Sequence, residues 1–77
     1  MLIKATEVHH MSVARVTELS CTSPTSFEDA VRSGLERAMR TLRGVHGAWV
    51  KEQRVNVERD GSLEFQVNIL VTFVLED

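Results

Sequence analysis

The chain has 77 residues, 43% of them apolar and 26% charged, with a single cysteine and a formal net charge of −2 at pH 7. That length holds one domain, and one cysteine excludes an internal disulfide as its staple. The slightly acidic balance excludes a protein that lives on nucleic acid or on an anionic membrane, because both need a basic face.

Residues 1–11 are expected to form an N-terminal extension without fixed structure, since Met11 opens a phrase that reads as a start of its own. His9 and His10 fall in that extension, and no metal site is expected there. The first residues lack the apolar run of a secretory signal, and no stretch reaches the ~18–20 apolar residues of a membrane span. With an unpaired thiol, the expectation is a soluble cytoplasmic protein. The domain is then read over residues 12–77. Ser12 to Ser20 is rich in β-branched residues and predicts a strand. Cys21 to Ser26 surrounds the only proline with small polar residues and reads as a loop. Thr25 with Glu28, or Ser26 with Asp29, has the spacing of a helix-capping pair. From Phe27 through Ala30, Val31, Gly34, Leu35, Ala38 and Met39 to Leu42, apolar residues recur at steps of three and four, which predicts an amphipathic helix. Gly44 suits the position just past its end.

Ala48 to Glu58 alternates and predicts a second strand, and Asp60-Gly61 predicts a hairpin turn. Leu63 to Leu75 is a third strand whose odd positions are all apolar. The fold class is therefore α+β, a β-α-β-β chain with a three-stranded antiparallel sheet wrapped on one helix. One helix cannot cover both faces of three strands. The second face carries Leu70 and Val74 beside polar Gln66 and Asn68. Self-association is the expected cover, because below about 70–80 residues a core needs such help.

Chemistry-bearing patterns are sparse. Cys21, Ser23 and Ser26 lie near a helix N-terminus but read as buried or capping residues, and His46 has no acid in a fixed relation to it. Gly44-Val45-His46-Gly47 has the Gly-x-x-Gly form of an RNA clamp, yet it joins a helix to a strand and holds no Lys or Arg. Catalysis is not expected. Trp49, the only tryptophan, offers a flat face, and Gln66 offers a paired donor and acceptor on the neighbouring strand. On a shared face the two would suit a stacked ring system. A two-residue loop pairs Trp49 with Thr72 and puts it on the Gln66 face; a three-residue loop pairs it with Phe73 and buries it under the helix.

Four phrases carry a resemblance: Val16-Thr17-Glu18-Leu19-Ser20, Thr22-Ser23-Pro24-Thr25-Ser26-Phe27-Glu28-Asp29-Ala30, Val50-Lys51-Glu52-Gln53, and Phe65-Gln66-Val67 leading to Val71-Thr72-Phe73. In this order, and over Ser12 to Glu76, the chain resembles a dodecin, a family of small flavin-binding proteins. The resemblance implies a homo-oligomer, a hollow dodecameric shell that stores or buffers flavin (FMN or riboflavin) without catalysis. It also implies flavins stacked in pairs between aromatic side chains at symmetry-related interfaces, with a strand glutamine on the polar edge of the ring. Gln66 matches that glutamine. Counted back from Glu52-Gln53, the family's stacking position falls on Gly47, and Trp49 lies two residues on, about 6.5 Å along the same strand face. Trp49 and Gln66 are the expected flavin-binding residues. The alternative is the same shell without flavin, a structural or calcium-binding assembly.

Overall fold

The computed structural model describes residues 13–75. Its elements follow in the order β1 (Ala14–Ser23), α1 (Phe27–Thr41), β2 (Val45–Val57) and β3 (Leu63–Val74). The three strands form one antiparallel sheet with the spatial order β1-β3-β2. This is the expected β-α-β-β architecture. The expected extension over residues 1–11, with His9 and His10, lies outside the described residues.

The central strand is the most apolar one, as it must be when both its edges are paired. Val67, Ile69 and Val71 face the helix and are at most 1% exposed. Full burial of each such side chain contributes about 1.5–3 kcal/mol. Ala30 and Ala38 meet them from α1, with Leu19, Phe27, Val31, Leu35, Leu42, Val45 and Ala48 closing around the core. Phe27 and Phe65 stack edge to face with ring centroids 5.1 Å apart, a geometry that aligns a positive ring edge with a negative face.

Of the two capping registers, the chain uses Ser26. Its hydroxyl accepts from the Asp29 backbone N–H at 3.0 Å, and Glu28 and Asp29 sit in the first turn, where the helix dipole favours acids. Buried Ser23 ties the end of β1 to that turn: its Oγ donates to Asp29 Oδ2 at 2.6 Å and accepts from the Thr25 N–H at 2.9 Å.

Boundaries differ from the sequence reading at several element ends. β1 continues through Cys21 to Ser23, because those residues still pair with Val67, Gln66 and Phe65 of β3. The helix stops at Thr41, with Leu42 extended and its N–H bonded to the Ala38 carbonyl. Gly44 then takes φ +70°, and its carbonyl accepts from Val74 N–H at 3.0 Å, so β2 begins at Val45 rather than Ala48. Met39, placed on the core stripe by its spacing, is 57% exposed, because α1 lies over β1 and β3 and leaves its β2 flank open.

Gly34 explains how closely the helix approaches. A Cβ built there would run into Cys21 Sγ and come within 3.5 Å of Ile69 Cδ1. A glycine in mid-helix costs about 1 kcal/mol against alanine, and here it lets α1 settle on β1. Gly34→Ala is expected to destabilise the protein by about 1–3 kcal/mol through overpacking. In a Cys21→Ala background the same change should be neutral or stabilising. Denaturant unfolding of the four variants at one protein concentration measures the coupling.

Candidate functional site

The face of the sheet turned away from α1 holds the candidate site. Antiparallel pairing aligns its side chains in rows across the strands. One row is Glu18, Leu70 and Trp49; the next is Ser20, Asn68 and Glu52; the third is Thr22, Gln66 and Arg54; beyond it stand Glu64 and Asn56. On the other side of the tryptophan lies the row of Val16, Thr72 and Gly47.

Neither hairpin register foreseen for β2 and β3 is the one adopted. Val57 pairs with Leu63, so the connection spans residues 58–62. It is closed by hydrogen bonds from Glu58 N–H to the Ser62 carbonyl and from Gly61 N–H to the Glu58 carbonyl. Asp60 caps the turn by accepting from the Ser62 N–H at 2.9 Å and hydroxyl at 2.7 Å. These bonds favour the carboxylate and hold Asp60 below its ordinary pKa. With this register continued unbroken, Trp49 would oppose Val71 and enter the core. Instead the pairing slips by one between Val50 and Glu52. The β-bulge at Lys51 puts Trp49 opposite Leu70, on the face it shares with Gln66.

The sequence carried a signal for this slip. Ala48 and Val50 are apolar at even positions, whereas Val55 and Val57 are apolar at odd ones. A change of phase within one strand is what an inserted residue produces.

Trp49 is 68% exposed, with Val16 also open on the same face and Leu70 half-buried between them. An indole left open above apolar neighbours is a platform for another flat or apolar group. Gly47 adds no side chain, and a Cβ there would meet nothing within 4 Å. At the polar end, Gln66 lies in a hydrogen-bonded group with Asn56, Ser20 and Asn68. Lys51 Nζ reaches Glu18 at 3.2 Å across the sheet. Such a half-exposed pair contributes at most about 1 kcal/mol, and it links the bulge to the Glu18 end of the tryptophan row. Asn56, Ser20 and Asn68 were not foreseen as site residues: polar residues at alternate strand positions look the same in sequence whether solvated or cross-linked.

Trp49 and Gln66 are two row spacings apart, about 13 Å along the strand direction at the usual rise. One copy alone therefore does not close both groups on the same end of a ring. The remaining candidates lie elsewhere. Cys21 is buried on the helix side, and burial pushes its thiol pKa up, which makes it inert rather than activated. Ser23 and Ser26 are occupied in the cap. His46 is exposed at the start of β2. Among the described residues no three His, Cys, Asp or Glu side chains are grouped to hold a metal ion.

Comparison with known proteins agrees with this architecture. The dodecin family model matches residues 13–76. A dodecin of Thermus thermophilus is 38% identical over 65 residues, which span 84% of this chain and 94% of that one. The calcium dodecin of Mycobacterium tuberculosis is 33% identical over 63 residues, 82% of this chain and 89% of the relative. Among solved structures, the dodecin of Streptomyces coelicolor superposes with a TM-score of 0.81 at 34% identity, covering 88% of this chain and 97% of that one. A Thermus thermophilus dodecin bearing an arginine-to-alanine substitution gives 0.80 at 37% identity, covering 87% and 98%. Fold, element order and sequence agree over the whole described domain, and the chain belongs to the dodecin family.

Proposed function

We propose that the protein is a non-catalytic flavin store of the cytoplasm, a homododecameric shell that holds FMN or riboflavin between copies. The observation that carries the reading is Trp49, 68% exposed on the sheet face that the helix leaves open. A bulge turns it out of the core and onto the face of Gln66. The indole supplies a stacking surface and Gln66 a hydrogen-bonding edge, which together suit a planar heterocycle with polar groups on one end. Bound there, an isoalloxazine ring supplies a large flat face to cover the indole. The missing aromatic group at Gly47 is compensated by Trp49 one row nearer to Gln66.

A second reading is the same shell holding a cation such as calcium. It draws on the relative named calcium dodecin and on Glu18, Glu52 and Glu64, which share the outer face. Glu18 is already paired with Lys51, and Glu64 with Asn56, which favours the flavin reading.

Two outcomes are expected. By light scattering at micromolar concentration the particle should have about twelve times the chain mass, and its reversible unfolding midpoint should rise with protein concentration. A monomer would overturn both readings. Riboflavin added to the protein should lose its fluorescence. Trp49→Ala should weaken binding by about 1–3 kcal/mol, the range for a ring stacked on an aromatic side chain. Gln66→Leu should weaken it by about 1 kcal/mol with the shell intact. Riboflavin that stays fluorescent beside an intact shell, together with saturable calcium binding by calorimetry, would favour the second reading.

A further inference from the structure

Gln66 is held from both sides. Its Oε1 accepts from Asn56 Nδ2 at 3.0 Å, and its Nε2 donates to Ser20 Oγ at 3.2 Å and Asn68 Oδ1 at 3.4 Å. The same Asn56 nitrogen also donates to Glu64 Oε1 at 3.0 Å. An ionised carboxylate only accepts, so Glu64 selects the NH2 group of Asn56 and rejects its carbonyl. Facing that NH2, Gln66 must present its oxygen. The far end of the chain of bonds agrees. Asn68 accepts from Gln66 and turns its own Nδ2 toward Glu18 Oε2 at 3.5 Å, a second acceptor-only group, which Lys51 Nζ also satisfies. The bonds between Asn56 and Glu18 therefore all run one way.

That sense has a direction on the sheet. Asn56 and Glu64 form the row on the side of Gln66 away from Trp49, while Ser20 and Asn68 form the row between Gln66 and Trp49. The N–H edge of the carboxamide is thus the one turned toward the tryptophan. We propose that Asn56 is a positioning residue that fixes the hydrogen-bonding sense of Gln66, so that the site selects acceptor groups of a planar heterocycle. Those groups are its ring carbonyl oxygens and unprotonated ring nitrogens. The identity of the ring rests on the flavin reading; the orientation of the amide is a property of the ligand-free chain.

Asn56→Asp removes the donor and sets a second carboxylate beside Glu64. The Gln66 amide should then turn over, with Nε2 facing position 56 and Oε1 facing Ser20 and Asn68. The experiment uses nitrogen-15-labelled full-length protein without flavin and follows nuclear Overhauser contacts of the Gln66 NH2 protons. In the wild type these contacts should go to Ser20 and Asn68, and in Asn56→Asp to residue 56. Riboflavin affinity should fall about five- to tenfold in Asn56→Asp, the loss of one hydrogen bond. Gln66→Glu, which keeps an acceptor for Asn56 but has no donor for the ring, should lose a similar factor, and it serves where Asn56→Asp fails to assemble. Wild-type contacts toward residue 56, or affinity unchanged in Gln66→Glu, overturn the proposal. A wild-type shell that ignores riboflavin overturns the function proposed above and the ligand half of this inference, while the amide orientation stands or falls on the resonances alone.

Discussion

The structure depends on one mismatch: a single helix set against three strands. β3 alternates with a period of two, so its odd positions face the helix side, Val67, Ile69 and Val71 fully buried there, and every even position points away from it. The helix lies over β1 and β3, and among the described residues two apolar regions are left open. One is the outer face around Val16, Leu70 and Trp49; the other is the helix-side flank of β2, where Val50, Val55 and Val57 are exposed. Patches of this kind on both sides of a sheet mark surfaces made to be buried against something else.

The Lys51 bulge decides what kind of surface the outer face is. Below it, from Glu52 to Val57, the odd residues of β2 face the helix side; above it, Ala48 and Val50 do. Without the slip Trp49 would compete with Val71 for core volume, and Val50 would replace it on the outer face. An aliphatic residue there gives area but no flat face. The extra residue therefore converts an apolar patch into an aromatic platform while keeping small Ala48 against the core. Bulges are recurrent at sites where a side chain must be re-aimed, and this one re-aims the only tryptophan in the chain.

Much of this was legible in the sequence, and the failures have a common cause. The helix was readable because Phe27 to Ala38 follow its period closely, and β3 because seven consecutive odd positions are apolar. Gln66 and Trp49 stood out by residue type. The register of β2 on β3 was not legible from Asp60-Gly61, since that pair favours a short loop whereas Asp60 and Ser62 build a longer, internally bonded one. The start of β2 was obscured by Gly44 and Gly47, which look like loop residues. Only the paired backbone shows that Gly47 opposes Thr72, whose hydroxyl donates to the Gly47 carbonyl at 3.2 Å. Local chemistry predicts elements well; pairing depends on a sum over both strands, and one inserted residue changes the sign of every position beyond it.

On the function proposed here, the outer face divides the work of recognition between its two ends. Around Trp49 the surface is apolar and flat, so it attracts any ring and discriminates little. Around Gln66 four polar side chains satisfy one another, so a ligand gains there only by offering hydrogen bonds as good as those it displaces. Affinity then comes from the aromatic end and selectivity from the polar one. Trp49 is open among the described residues, and on that function a ring held between two copies covers it. Any ligand that binds the assembled form better than the free chain shifts the equilibrium toward assembly. On the function proposed here, loading the store and stabilising the shell are the same event seen from the ligand and from the protein.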